Sequence, residues 1–325
     1  MTTGEATLDA RALNLELYRS MLAIRRFEEA AYRAYESGEV VGTIHASIGQ
    51  EAVAVGVISS MRPQDLVFSH HRGHGHALAK GVKPEQMFGE LLARAYGASG
   101  GKGGSMHITD VSVRFMGSYA VVGGPIPLAV GVALAAQRRR EDSVTVVFFG
   151  DGAINQGVLY ESLNLASIWR LPIVFVCENN GFAISVPTSY ATGGAGVTAR
   201  ASAFGLRAEQ VDGQSVSAVR AAAAELIEGA RSEGRPALLE ALTYRFVGHS
   251  RGDPAHGLYR TKEELDQWRE RDPLIVHREE AGLDSDTCDA IDSETTQSID
   301  DAFDIARAYP RVPQDMLMRD VWGDA

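Results

Sequence analysis

The 325-residue sequence has almost no cysteine: Cys177 and Cys288 are the only two. Two thiols build neither a disulfide framework nor a cysteine-rich metal centre. Cys177 lies in the apolar run Ile173–Cys177 and reads as a small buried hydrophobe. No apolar stretch approaches the roughly 18 residues that a membrane span requires. The N-terminal segment has no basic stretch followed by an apolar core, so no secretory signal is expected and the cytoplasm is the expected location. An excess of positive charge is also missing. The formal net charge is −11, which repels nucleic acid and anionic membranes, so neither is an expected partner. Internal repeats, low-complexity tracts and obvious linkers are absent too. The expectation is one α/β domain over residues 1–325, with an N-terminal helix in 1–40 and a helical C-terminal extension in 261–325.

What is present is ordinary in bulk, 45% hydrophobic and 22% charged, and specific in its order. Leu13, Leu17, Ile24, Phe27, Ala31 and Tyr35 recur at helical spacings, predicting a helix over 8–37 that stops at Ser37-Gly38. A glycine- and histidine-rich tract follows, "HASIGQEAVAVG" and "FSHHRGHGHALAKG". A helix is predicted from Pro84 to Tyr96, then a loop, "GASGGKGGSMH". After an irregular glycine/proline turn, small residues predict a closely packed helix from about Leu128 to Arg138. Strand 144–149, helix 156–169, strand 172–177, a polar loop to about Thr198 and a strand over Leu238–Phe246 come next. Strands alternating with helices predict a parallel sheet flanked by helices.

The sharpest feature is "GDGAINQG", with Asp151 directly after one apolar strand, and "CENNGFAIS", with Asn180 directly after the next. In open α/β sheets, ligands sit beyond the carboxyl ends of the strands. Asp151 and Asn180 are 29 positions apart, the length of one strand–helix–strand step. If the strands are neighbours, a carboxylate and an amide oxygen converge where Mg²⁺, which prefers oxygen ligands, would share them with phosphate and water. The glycines beside Asp151 let a diphosphate approach the backbone. The helix opening near Asn155-Gln156 offers free N–H groups. The cluster His70, His71, His74 and His76 could in principle hold a transition metal, but the interspersed glycines and Arg72 suit an anion better.

"GDG", 26 residues and "NN" resemble the thiamine-diphosphate binding motif. With "GKGGSMH", "GDGAINQG", "CENNGFAIS" and "VGHSRGDP" in this order, the chain resembles the alpha subunits of pyruvate and acetoin dehydrogenases, from about Arg25 to Pro273. The resemblance implies the thiamine-diphosphate-binding fold, with thiamine diphosphate and Mg²⁺ as cofactors. It implies Asp151, Asn180 and the backbone carbonyl of Phe182 as metal ligands, and Gly152 and Ala153 against the diphosphate. Arg72, a match for phosphate oxygens, and His249 would reach the same group, with His71 beside the cofactor. Ala120 and Val122 would meet the aminopyrimidine ring, and Ile184 would be the apolar wedge that bends the cofactor. His45 matches a histidine of the substrate channel, and with His249 it is the expected catalytic pair.

The implied reaction is cleavage of acetoin or a 2-oxo acid such as pyruvate, with transfer of the acyl fragment to a lipoyl group on a separate acyltransferase component or to another acceptor. The glutamate that activates the aminopyrimidine ring belongs, in such proteins, to a separate beta subunit. Nothing in this chain matches it, so a heterotetramer of two alpha and two beta chains is expected. The main departure from the pattern is "SYAVVGG", where Tyr119 and Ala120 replace smaller or polar residues. Tyr119 either reshapes the substrate pocket or packs at an interface. The alternatives are a thiamine-diphosphate-dependent carboligase or lyase without a lipoyl partner, and a non-catalytic scaffold subunit. Ser250 matches a regulatory phosphorylation serine of mitochondrial relatives and reads here as an ordinary loop hydroxyl.

Overall fold

The structure is a computed structural model and describes residues 3–250 and 252–319. Residues 1–2, Arg251 and the last six residues of the expected C-terminal extension lie outside the described residues. Among the described residues, no helix is long and apolar enough to cross a membrane.

Six strands form one parallel sheet: β1 (Leu66–His70), β2 (Phe115–Tyr119), β3 (Thr145–Gly150), β4 (Ile173–Asn179), β7 (Arg207–Asp212) and β8 (Ala237–Leu242), in the order β2-β1-β3-β4-β8-β7. A two-residue turn joins the small antiparallel pair β5 (Phe182–Ala183) and β6 (Val186–Pro187). The central strands are continuous apolar runs because both faces of the sheet are covered. Val146, Phe148, Val174, Val176 and Leu239 join one core. Their neighbours Val147, Phe149, Phe175, Cys177 and Leu238 join the core on the opposite face.

The first core packs under α1 (Thr3–Glu36), α2 (Glu51–Ile58), α3 (His74–Lys80), α4 (Pro84–Leu91), α9 (Val216–Glu233) and α12 (Ser285–Ala308). The second packs under α5 (Pro125–Arg139), α6 (Gly157–Trp169) and α8 (Val197–Ala203). The short α7 (Thr188–Ala191) follows β6, and α10 (Lys262–Glu270) and α11 (Pro273–Ala281) lead into α12.

Several boundaries differ from the sequence reading, each for a local reason. The helix expected over Pro84–Tyr96 ends at Leu91, because Ala93 takes φ 51° and turns the chain out of the helical path. The helix expected from Leu128 starts at Pro125, since proline's fixed φ and missing N–H suit the first turn. The last central strand stops at Leu242, after which Phe246 N–H donates to Ile48 O away from the sheet. The C-terminal extension is α-helical only to Ala308.

Candidate active site

A cavity of about 400 Å³ opens beyond the carboxyl ends of the parallel strands. His70 enters it from the end of β1, Gly150 from β3 and Glu178 from β4. β3 and β4 are hydrogen-bonded neighbours with Gly150 opposite Glu178, so Asp151 and Asn180 leave adjacent strand ends into the same space. Gly152 and Ala153 line it from the 3₁₀ turn that follows, and Ala120 and Val122 from the turn between β2 and α5. Phe182 and Ile184 line it from the β5–β6 pair. His71 and Arg72 arrive on the β1–α3 turn, His45 on the loop before α2, and His249 on the loop after β8. Every site residue expected from the sequence therefore faces one cavity.

One end of the cavity is cationic. Arg72 is buried, and its guanidinium donates to Ala46 O at 2.9 Å and to His249 O at 3.0 Å, with its Nη2 2.8 Å from His249 Nδ1. Burial, and then Arg245, bring the Arg72 guanidinium down to about 9, still charged at neutral pH. The rings of His45, His71 and His249 pack edge-on or tilted, with centroids 5.0–5.7 Å apart. Burial, followed by the Arg72 charge, pushes His45 down to about 3 and His249 to about 4, and lowers His71 as well. All three are neutral near pH 7, with the Arg72 charge set among them. His45 Nδ1 and His71 Nε2 are buried without a hydrogen-bond partner. Orphan polar atoms around a cavity mark the place of a polar ligand.

The other end carries the oxygen donors. Asp151 is buried, and its carboxylate accepts from the Thr188 hydroxyl. Burial pushes its carboxyl up, and among the described residues no cation forms an ion pair with it. Asn180 Oδ1 accepts from Phe182 N–H at 3.2 Å, and Asn180 Nδ2 donates to Gln50 Oε1 at 3.1 Å. An uncompensated buried carboxylate beside a fixed amide oxygen fits an oxygen-preferring divalent ion. Ile184 holds φ 57° while 58% exposed, a strained conformation for a β-branched residue that burial does not offset.

His70, His76 and Glu178 bring their ligand atoms together in the cavity wall. Hydrogen bonding argues against a metal there. The Arg72 backbone N–H donates to His70 Nδ1 at 3.1 Å, so a neutral His70 carries its proton on Nε2, 2.6 Å from Glu178 Oε2. A metal at Nε2 would have to displace that proton and reverse the ring's tautomer against a backbone N–H. Burial opposes ionisation of Glu178, yet the imidazoles of His76 and His70 hold its carboxyl below the usual range. His74 is engaged elsewhere, with Glu28 at 2.8 Å and Ser105 at 3.1 Å.

Three details sharpen the sequence reading. Tyr119 does not line the cavity: its ring lies against Phe68 and its hydroxyl donates to Met116 O at 3.3 Å. Asp151–Ala153 forms a separate 3₁₀ turn, and α6 begins at Gly157 with Gln156 as its N-cap, where the helix was expected. The glycines of "GASGGKGGSMH" form the expected loop. They fold round the buried carboxylate of Glu90, which accepts from the N–H groups of Ser99, Gly101, Gly103 and Gly104 at 2.5–3.2 Å. The sequence reading missed Gln50 and Glu178, which also line the cavity. A glutamine and a glutamate next to longer motifs carry no spacing of their own. For Glu178 alone a signal existed, its place directly before "NN".

This sheet and cavity define an α/β enzyme fold whose strand ends carry a cavity fitted to an anionic ligand. The dehydrogenase E1 component family matches residues 19–314, and the chain belongs to that family of oxidoreductases. It is 40% identical to the pyruvate dehydrogenase E1 component subunit alpha of Rhizobium meliloti, over 95% of this chain and 89% of that protein. It is likewise 40% identical to the alpha subunit of acetoin:2,6-dichlorophenolindophenol oxidoreductase of Bacillus subtilis, over 95% and 93% of the two chains. The protein of that name from Cupriavidus necator is 41% identical over 98% and 99%.

Proposed function

We propose that this chain is the alpha subunit of a thiamine-diphosphate- and Mg²⁺-dependent dehydrogenase that cleaves acetoin or a 2-oxo acid such as pyruvate. The observation that carries this reading is the division of one cavity into a buried cation with neutral imidazoles at one end and the Asp151/Asn180 oxygen pair at the other. Thiamine diphosphate, when bound, would supply the carbon nucleophile and electron sink needed to cleave a bond next to a carbonyl. The chain's residues bind and orient. Asp151, Asn180 and the carbonyl of Phe182 would hold Mg²⁺, and the backbone at Gly152 and Ala153 would let the diphosphate approach. Arg72, His71 and His249 would neutralise its remaining charge. Ala120 and Val122 would present the β2–α5 turn to the ring, and Ile184 would fix its bend.

His45 is buried and neutral, with an unpartnered Nδ1 at the cavity. A neutral imidazole there can hold a proton close to substrate or stabilise developing charge, as can His249. Glu178, the glutamate of the cavity wall, is engaged by two imidazoles. That engagement supports the reading that the ring-activating glutamate comes from a separate beta subunit in a two-alpha, two-beta assembly. A lipoyl acyltransferase as acceptor and a cytoplasmic location complete the proposal. Relatives of both the pyruvate and the acetoin type match equally well, so the substrate is left as this pair.

The test is the reconstituted alpha–beta complex, incubated with acetoin, pyruvate and branched 2-oxo acids and an artificial electron acceptor. Acceptor reduction with acetoin or pyruvate, dependent on thiamine diphosphate and Mg²⁺ and lost in Asp151→Ala, is expected. Acyloin formation without oxidised product would replace the dehydrogenase by a carboligase. Tyr119, which motivates that alternative, does not line the cavity.

A further inference from the structure

Gln50 is 1% exposed and lines the cavity, five residues after His45 in "HASIGQEAVAVG". It stands at the N-terminus of α2 without capping that helix. Its surroundings hold it rigidly. Gly49 has φ 98°, and a Cβ there would lie 2.5 Å from Tyr244 O. On the other side the Glu51 carboxylate accepts from Gly49 N–H at 3.0 Å and from Arg25 Nε at 2.6 Å. The two ends of the Gln50 amide differ. Oε1 accepts from Asn180 Nδ2 at 3.1 Å, which with the Phe182 N–H bond settles which face of Asn180 presents its oxygen. Nε2, by contrast, is buried with no partner. His45 Nδ1 and His71 Nε2 are orphaned round the same cavity. An unpaired buried amide donor in a cavity wall, beside two further unpaired ring nitrogens, is where a polar ligand completes the site.

We propose that Gln50 is a ligand-binding residue: its amide oxygen orients Asn180 and its Nε2 donates to a phosphate oxygen of a metal-bound diphosphate. This rests on the reading of the cavity given above. The glutamine is thus a neutral counterpart of Arg72, placed at the metal end, where a second positive charge would repel the ion.

Three measurements on the assembled alpha–beta complex test it: calorimetric binding of Mg²⁺ with thiamine diphosphate, of Mg²⁺ with inorganic pyrophosphate, and paramagnetic-resonance binding of Mn²⁺ alone. Gln50→Glu keeps the acceptor for Asn180 and replaces the donor by an anionic oxygen. It is expected to weaken pyrophosphate and thiamine diphosphate alike, by about tenfold to a hundredfold, with Mn²⁺ bound at least as tightly as in the wild type. Gln50→Met removes both ends and is expected to weaken all three ligands, with a thermal melt confirming that the fold persists. Wild-type affinity for pyrophosphate in both variants would overturn the proposal. Loss confined to thiamine diphosphate would also overturn it, because the donor would then face the ring or the substrate rather than phosphate. A wild-type complex with no metal-dependent pyrophosphate binding would refute the diphosphate reading of the cavity itself, separately from Gln50.

Discussion

Asp151 is a buried carboxylate answered by a hydroxyl and backbone N–H groups, with no ion pair among the described residues. Such a charge costs stability until a counter-ion arrives. Asp151→Asn is therefore expected to stabilise the metal-free chain by about 1 kcal/mol. It should also weaken metal-dependent binding by more than about a hundredfold. Denaturant unfolding and calorimetry read the two effects, and a variant that loses stability while keeping affinity would contradict the metal assignment. His45 makes the matching case for a base. Its folded-state value of about 3 lies below 6.5, so between these values the unfolded chain binds a proton that the folded chain refuses. Its contribution to stability is full above pH 6.5 and declines as pH falls towards 3. His45→Gln should flatten the loss of stability measured between pH 6.5 and 5 by up to about 1.4 kcal/mol per pH unit.

Carboxylates, all but Asp253 buried, anchor the loops that surround the cavity. Glu28 accepts from Ser47 N–H and Oγ at 2.8 and 2.9 Å and sits 2.8 Å from His74 Nδ1, Glu178 is flanked by His70 and His76, and Asp253 accepts from His249 N–H at 2.5 Å and from the Tyr259 hydroxyl. Gly248 belongs to the last of these, since a Cβ there would collide with Asp253 O. The Glu90 loop gives the clearest test. Gln can offer one acceptor oxygen where Glu90 offers two, so at least two of the four amides lose a charged acceptor. Trypsin cleavage after the exposed Lys102 should accelerate about tenfold or more in Glu90→Gln. Unchanged cleavage would mean that the glycines, not the carboxylate, set the loop. The Glu28 and Glu178 clamps were illegible in the sequence because they join residues far apart in the chain; the Glu90 and Asp253 clamps are local but follow no motif spacing. The strands β3 and β4 were legible because burial on both faces leaves unbroken apolar runs. β1 was missed because "LVFSH" ends in polar cavity residues, and β7 because "RAEQVD" is a half-exposed edge. The motif residues of the site were legible for a related reason: Asp151 and Asn180 sit directly at the ends of the readable strands.

At the scale of the molecule, the cavity rim is left apolar and open. Val121 and Val122 are exposed beside it, and the exposure continues along α5 through Leu128 to Gly131 and Ala135. Small residues on an exposed helix face admit the close approach of another backbone, and exposed apolar surface next to an incomplete site marks where a partner docks. This face lies on the same side as the β2–α5 turn, where the ring end of the cofactor is proposed to emerge and where the activating glutamate is missing. A Cβ added to Gly131 would meet nothing within 4 Å of it in this chain. Gly131→Phe therefore tests docking without touching the fold. The isolated chain should unfold within about 0.5 kcal/mol of the wild type, and slightly above it, because glycine is the weaker helix former. Its affinity for the beta subunit should fall by about a hundredfold or more, since a buried ring would hold the two helices apart. Analytical ultracentrifugation of the mixed subunits reads that loss directly. Assembly at wild-type affinity would move the docking face off α5, and with it the direction from which the activating glutamate must enter.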